Sequence, residues 1–234
     1  MKKIFVTLFL SIIALNAQDI YATFDVKADQ EAQLGFSTGG IVKEIFFDIG
    51  DKVKKGDILA VLDNKDLEAL RENARVALRY AKKDYDRQKQ VKKYINPAQL
   101  DQFARAYETA KAQLSYQEAL LDKTILKAPF DGTIVSKGIE VGDVVTGQLG
   151  SHAFGIHSLD NMKLVLKFDS KYYNSVKVGD RFVYRLDGSN QEYNGTISKI
   201  YPAIDITSRT IGAEVEVEGL ASGLFGTGTI KAGQ

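Results

Sequence analysis

The feature that most constrains this chain is a repeat of itself. Residues 39–63, GGIVKEIFFDIGDKVKKGDILAVLD, and residues 128–148, APFDGTIVSKGIEVGDVVTGQ, carry like residues at a constant offset of 92. Gly40 matches Gly132, Val42 matches Ile134, Ile49 matches Val141, Gly50-Asp51 matches Gly142-Asp143, and Val53 matches Val145. A register held without a gap over 14 positions reads as an internal duplication. In each copy, short apolar runs are broken by Gly-Asp pairs, the turn chemistry between short strands. Neither copy is long enough to bury a face alone, so the two halves are predicted to pack together as a β-sandwich. The alternative is two unrelated hairpins that share Gly-Asp turns.

The segment between the copies has a different composition. Residues 64–122 contain no Gly and one Pro, and are rich in the strong helix formers Ala, Lys, Arg, Glu, Gln and Leu. Leu100, Phe103, Tyr107, Ala110, Leu114, Gln117 and Leu121 step by three and four residues, an apolar seam. Leu67, Leu70, Ala74, Ala77, Ala81 and Val91 follow the same period earlier, with Tyr85 covering a weak stretch around Asp84 and Gln88. The break falls at Ile95-Asn96-Pro97-Ala98-Gln99. Asn96 suits an N-cap, Pro97 the first helical position, and Gln99 the third position of a capping box. These signals predict an antiparallel coiled-coil hairpin whose arms of about 25–30 residues reach roughly 38–45 Å. Its first arm is basic at the far end, where Arg79, Lys82, Lys83, Arg87, Lys89, Lys92 and Lys93 outnumber Asp84 and Asp86. That stretch reads either as a docking surface for an acidic or polar protein rim or as a solvated helix face.

The two ends of the chain read differently again. Met1-Lys2-Lys3, an apolar run from Ile4 to Leu15 and a terminal Ala17 form a secretory signal, predicted to be cleaved after about Ala17. A run of that length is short of the roughly 20 residues that span a bilayer, and a retained anchor is the alternative. Candidate strands follow at 163–168, 181–186, 193–200, 211–217 and 224–231, separated by Gly-Asp, Asp-Gly and Gly turns. Short strands at that spacing predict a small antiparallel barrel. A segment at 18–38, in which Phe24 and Val26 alternate with polar neighbours, is expected to supply an N-terminal strand that joins the barrel or enters the sandwich.

The fold class is therefore α+β, multidomain and elongated. The predicted order is signal peptide 1–17, N-terminal strand segment 18–38, a split sandwich at 39–63 and 128–148, a helical hairpin at 64–127, and a barrel at 149–234.

Composition removes much of chemistry. With no Cys and only two His and two Met, disulfides, thiolate zinc sites, iron–sulfur clusters and Cys nucleophiles are excluded, and soft-metal ligands are scarce. A formal net charge of +1 gives no global reason to bind nucleic acid. His152 and His157 lie in what reads as a linker, and no G-x-S-x-G or P-loop motif is present. No catalytic, cofactor or metal set is assigned.

These residues resemble a known family, the periplasmic adaptors or membrane fusion proteins of tripartite efflux pumps, RND-type. The similarity rests on Gly39-Gly40-Ile41-Val42 with Gly50-Asp51-Lys52-Val53-Lys54-Lys55-Gly56-Asp57-Ile58-Leu59, on Ala128-Pro129-Phe130-Asp131-Gly132-Thr133-Ile134, and on Ser208-Arg209-Thr210 before a strand. It implies a lipoyl-like domain split by an α-hairpin and followed by a β-barrel, with no enzymatic activity. A lipoylated or biotinylated carrier would need a modifiable Lys at the junction that residues 64–127 occupy. The resemblance implies a short form without a membrane-proximal domain. It further implies a role in the Gram-negative periplasm, bridging an inner-membrane transporter to a TolC-like outer-membrane channel, with self-association as a trimer or hexamer. An ABC-type exporter or type I secretion system is an alternative partner, and a non-transport periplasmic scaffold an alternative role. Family tips carry an Arg, a Leu and a Ser that engage the channel. Here Arg87 matches the Arg, Val91 stands for the Leu, and Asn96 stands for the Ser, with Tyr94 and Gln99 beside them. Contacts to the transporter or a neighbouring adaptor fall on Arg209, Gly50, Asp51, Gly142 and Asp143.

Overall fold

The structure is a computed structural model that describes residues 18–91, 96–147, 152–158 and 162–233. The predicted signal segment lies outside the described residues. The chain divides into two compact units, one made of Gln30–His157 and the other of the residues up to Asp29 and from Ser158 onward.

The second of these units is a closed, antiparallel, six-stranded barrel in the order β1-β10-β13-β12-β11-β14. Its strands are β1 (Gln18–Ala28), β10 (Met162–Asp169), β11 (Arg181–Leu186), β12 (Tyr193–Asp205), β13 (Thr210–Val217) and β14 (Phe225–Ala232). Strict alternation explains the closure: Ile20, Ala22, Phe24, Val26 and Ala28 of β1 point inward, as do Met162, Leu164, Leu166 and Phe168 of β10. Phe24, Phe182 and Tyr184 meet inside, Phe24 standing edge-on to Phe182 at 5.9 Å between ring centroids. Space for the rings comes from β14, where a Cβ at Gly228 would lie 2.5 Å from the Phe182 ring. Strand β12 runs further than its apolar pattern suggests, past Pro202 to Asp205. The ladder with β13 shifts register between Ile200 and Ile204, and a proline is tolerated at such an irregularity.

The unit Gln30–His157 holds two four-stranded sheets, β2-β9-β7-β4 and β6-β5-β3-β8. The strands are β2 (Glu31–Leu34), β3 (Gly39–Ile45), β4 (Lys52–Val53), β5 (Ile58–Leu62), β6 (Ile125–Lys127), β7 (Gly132–Lys137), β8 (Val144–Thr146) and β9 (Phe154–His157). The repeat relates the two sheets to each other, and each sheet takes strands from both copies. β3 pairs with β8 through Gly40↔Val145 and Ile41↔Val144, and β7 pairs with β4 through Gly132↔Val53 and Thr133↔Lys52. Each residue of the second set is 92 positions from its counterpart in the first.

Even the bulges repeat. β3 pairs with β5 through Val42↔Leu62 and Glu44↔Val61, with the shift between Val42 and Glu44. β7 pairs with β9 through Ile134↔Ile156 and Ser136↔Gly155, with the shift between Ile134 and Ser136. Residues of β9 stand 94 rather than 92 positions after their counterparts in β5, so the register carries a two-residue insertion between β8 and β9. The shared core exchanges large for small between the copies. Phe36 and Ala60 in one half correspond to Ala128 and Phe154 in the other, and all four are buried.

This pairing extends the sandwich beyond both predicted boundaries. β2, expected with an N-terminal segment that returns to the barrel, lies in a sandwich sheet because Leu34 and Gln33 pair with Phe154 and Gly155. β9, expected at the start of the barrel segment, carries His157 and lies between β2 and β7. His157 is therefore a strand residue and not a linker residue.

Between β5 and β6 run α1 (Lys65–Gln90) and α2 (Pro97–Asp122). Asn64, before α1, donates from Nδ2 to Thr124 Oγ1 after α2 at 3.2 Å, both buried, and Tyr85 stacks on Tyr107 at 5.8 Å. These two contacts define an antiparallel pair. The α2 seam lies as read, from Leu100 to Leu121. The α1 seam is displaced: Leu67, Arg71, Ala74, Leu78, Ala81, Tyr85 and Gln88 are half-buried or buried, while Leu70 and Ala77 are exposed. Arg71 takes a seam place because its aliphatic stem packs while its guanidinium reaches water.

Two outcomes follow from the barrel. Replacing Gly228 by Ala forces its Cβ against Phe182 and costs about 1–3 kcal/mol in urea denaturation, relieved in part by a second substitution of Phe182→Leu. On the outer wall, Tyr201 Oη donates to Glu214 Oε1 at 2.7 Å, and the Lys163 and Lys199 ammonium groups lie 3.5 and 3.9 Å from that carboxylate. Burial raises the Glu214 pKa, but Tyr201, Lys163 and Lys199 outweigh it and hold the group below its ordinary value. The same bond pushes Tyr201 up to about 12. A depressed carboxylate stabilises the fold above its ordinary pKa of 4.5 and loses that contribution as pH falls through the folded value. The melting temperature of wild type should therefore exceed that of Tyr201→Phe at pH 7, with the gap closing as the pH is lowered below 4.5.

Candidate functional site

The far end of the helix pair is built by capping and stacking. Asn96 sits in extended backbone at φ −64°, ψ 132°, and its Oδ1 accepts the Ala98 N–H at 3.0 Å, with Pro97 opening the helix. The bond goes to the second helical position. Gln99 donates its backbone N–H to the Asn96 carbonyl at 2.9 Å. No Gln99 side-chain bond back to Asn96 is found among the described residues, so Asn96 caps the helix through the Ala98 amide and the predicted capping box is not formed. Val91 ends α1 and is exposed. Arg87 pairs with Asp84 one turn before it. Tyr94, with Lys92 and Lys93, lies outside the described residues.

The basic face of α1 rests on aromatic rings. Arg79 and Lys83 lie 5.4 and 5.7 Å from the Tyr80 ring centroid, and Lys89 lies 5.9 Å from that of Tyr85. Such contacts hold cations outward without neutralising them. Among the described residues, Arg79, Lys82, Lys83 and Lys89 take part in no ion pair, so the cationic stretch remains available to an anionic surface.

The Gly-Asp residues occupy turns of one design. In the segments starting at Asp48, Lys54, Glu140 and Lys177, the third residue is Gly50, Gly56, Gly142 or Gly179 with φ between 92° and 99°. Glycine is favoured there because a Cβ resists positive φ. The following Asp returns its carboxylate to the first residue's N–H: Asp51 to Asp48 at 2.7 Å, Asp57 to Lys54 at 2.8 Å, Asp143 to Glu140 at 2.8 Å, Asp180 to Lys177 at 2.7 Å. Gly50, Asp51, Gly142 and Asp143 therefore have a structural duty. The sandwich turns also bind the opposite half. The Gly50 N–H donates to the Ile134 carbonyl and the Gly142 N–H to the Val42 carbonyl, both at 2.8 Å.

Lys137 Nζ joins the two turns, lying 3.2 Å from both Asp48 Oδ1 and Glu140 Oε1. The Ile49 N–H and Lys137 hold the Asp48 pKa below its ordinary value, and Asp48 with Glu140 raises that of Lys137. Exposed Ile49 and Val141 crown the same turns. Sequence reading missed Lys137, although its counterpart in the repeat is the apolar Ile45 and the mismatch was open to inspection.

Arg209 sits apart from these, in the tip between β12 and β13. It is the single non-glycine residue with positive φ, 55°, among the described residues, and its carbonyl accepts the Ser170 N–H at 3.0 Å. Asp205 shapes that tip by accepting the Thr207 and Ser208 N–H groups at 2.8 and 3.0 Å, and these bonds lower its pKa. Ile206 is 89% exposed there.

Residues 30–153, more than half of the chain, match the CzcB-like, barrel-sandwich hybrid domain, and the chain belongs to that family. It is 27% identical over 204 residues to the cobalt-zinc-cadmium resistance protein CzcB of Cupriavidus metallidurans, covering 80% of this chain and 39% of the relative. It is 23% identical over 217 residues to the macrolide export protein MacA of Yersinia pestis, covering 79% of this chain and 58% of the relative. The chain thus spans under two thirds of the length of either. In fold it is similar to a MacA–MexA chimera that contains the Pseudomonas aeruginosa MexA α-hairpin domain. There the TM-score is 0.84 at 23% identity, covering 92% of this chain and 79% of that one.

The Asn96 cap gives a direct test of how the helix end is built. Asn96→Ala should cost about 1 kcal/mol of α2 stability, and Asn96→Ser should restore most of it, read as hydrogen exchange of the Ala98 and Gln99 amides.

Proposed function

We propose that this protein is a periplasmic adaptor that couples an inner-membrane transporter, RND-type foremost, to a TolC-like outer-membrane channel for export of small molecules. The observation that carries this reading is the end of the helix pair: a capped α2 start at Asn96 beside an α1 stretch in which Lys82, Lys83 and Lys89 make no ion pair among the described residues, on a chain of the CzcB-like family. Arg87, Val91, Tyr94, Asn96 and Gln99 would form the channel-facing end. The sandwich is the lipoyl-like domain of this scheme, and its turns at Gly50-Asp51 and Gly142-Asp143, with Arg209 of the barrel, serve the transporter or a neighbouring copy. Cargo passes through the lumen of a trimer or hexamer and needs no pocket in the adaptor. Export of the chain to the periplasm, with cleavage after about Ala17, completes the reading.

An ABC-type exporter as partner is the second reading, favoured by the likeness to a macrolide export protein. Of the two named relatives, one is a resistance protein for cobalt, zinc and cadmium and the other an export protein for macrolides.

A photo-crosslinking residue at Asn96, irradiated in cells, should capture an outer-membrane channel. The transporter that co-purifies decides between RND and ABC partners. A folded, expressed protein that captures no channel from this position overturns the bridging role.

A further inference from the structure

One short motif is absorbed by neither the fold nor the bridging role. Of the asparagines in the chain, Asn194 alone is followed two positions on by Ser or Thr, in Asn194-Gly195-Thr196. In an exported protein that triplet is an acceptor pattern for an N-linked glycan, and its context has to be a surface one.

The structure supplies that context. Asn194 and Thr196 lie at the start of β12, just after the loop that joins it to β11. Alternation sends both to the outer wall of the barrel, where both are exposed, and Glu192 before them is exposed as well. Gly195 between them faces inward, where a Cβ would lie 2.4 Å from Cγ1 of buried Val215. Packing therefore accounts for the glycine and not for its two neighbours. Asn is disfavoured in strands, and this one looks into solvent. Arg181 of β11 donates to Asn194 Oδ1 from Nε at 3.0 Å and from Nη2 at 2.7 Å. Those bonds hold the carbonyl end of the carboxamide. Its Nδ2 has no partner among the described residues, and neither has the Thr196 hydroxyl. The backbone here is held on one side. Residues 193–196 are laddered to β11, while the ladder to β13 begins at Ile197.

We infer that Asn194 is an N-glycosylation site, with Glu192, Asn194 and Thr196 as the row that a periplasmic glycosyltransferase reads. The inference rests on the export part of the reading above and not on bridging. The donor class is a glycan activated as a diphosphate. Nδ2 attacks the anomeric carbon and a C–N bond forms. The C–O bond to the diphosphate breaks, the diphosphate leaves with that electron pair, and Nδ2 gives up one proton. A carboxamide nitrogen is a weak nucleophile, so its orientation has to be supplied. Thr196 puts a hydroxyl on the same face, about 7 Å along extended backbone. Glu192 puts a carboxylate two positions before the acceptor. Reaching the transferase gives up the Arg181 bonds and the end of the β11 ladder, a local opening that leaves the core closed. A glycan on this wall projects into solvent and displaces no core side chain.

The chain purified from the cells that make it should exceed its polypeptide mass by one glycan, and the glycan should map to the peptide that contains Asn194. Asn194→Gln should lose the added mass. Thr196→Val keeps a β-branched strand residue without the hydroxyl and should lose at least tenfold in modified fraction, whereas Thr196→Ser should keep it. A role confined to strand packing would rank those two the other way. Glu192→Gln should lower the modified fraction at least threefold, and an unchanged fraction overturns the part given to its carboxylate. A glycan that persists in Asn194→Gln or in folded Thr196→Val overturns the site. Cell fractionation separates the inference from the reading it rests on. A periplasmic chain at its polypeptide mass overturns the glycan site and leaves export in place. A chain confined to the cytoplasm overturns export and the inference together.

Discussion

The sandwich depends on one reciprocal set of backbone hydrogen bonds. The Gly50 N–H reaches the Ile134 carbonyl, and the Ile134 N–H reaches the Asp51 carbonyl at 3.0 Å. The Gly142 N–H reaches the Val42 carbonyl, and the Val42 N–H reaches the Asp143 carbonyl at 2.9 Å. Each half closes the other with the same four groups. Neither half has a partner for these groups alone, and leaving them unpaired on burial would cost about 1–3 kcal/mol each. The helices depend on the same closure. Leu62 N–H donates to the Thr124 carbonyl at 2.9 Å and Asp63 N–H to the Ile41 carbonyl at 2.8 Å, so the chain leaves and re-enters between paired strands. An antiparallel helix pair is the natural outcome when its two roots are fixed side by side. The register of that pair is then set by Tyr85 on Tyr107 and by small Ala residues.

Much of this was legible because the repeat is written in residues with strict backbone duties. Gly50 and Gly142 must accept positive φ, and Asp51 and Asp143 must bond back across the turn, so these positions stay recognisable where the strands around them drift. The parts that were not legible lack such markers. β9 has no Gly-Asp turn before it, and two extra residues move it out of the 92-residue register, so Phe154–His157 looked like linker. Glu31–Leu34 is too short and too polar to show alternation. In α1 two apolar series compete, and Leu70 and Ala77 were the more hydrophobic choice over Arg71 and Leu78 as a set. The α2 seam had no rival series and was read correctly. The capping box that did not form is a related case, since Gln99 fits the pattern but Asn96 satisfies the nearer amide.

The candidate surfaces share a physical character. Each is held by groups already engaged in the fold, with different groups left over for a partner. Arg209 spends its carbonyl on Ser170 and leaves its guanidinium exposed. The Gly-Asp turns spend their carboxylates on local N–H groups and leave Ile49 and Val141 at the surface. On α1, Tyr80 and Tyr85 hold cations without cancelling them. Surfaces of this kind are rigid before binding, which lowers the ordering cost of association but leaves little area for each contact. Several such contacts must then act together, and multivalency becomes the source of affinity.

The duplication is symmetric in backbone and asymmetric in chemistry. Thr133 and Lys52 of β7 and β4 stand where β3 and β8 carry Ile41 and Val144, so a Lys guards one terminal strand against unspecific pairing. Lys137 fits the same logic. It occupies the place of Ile45 and holds the two Gly-Asp turns together through Asp48 and Glu140, so the turns are kept at a defined spacing. The repeated backbone supplies the frame, and the few positions where its copies disagree direct how the frame meets its neighbours.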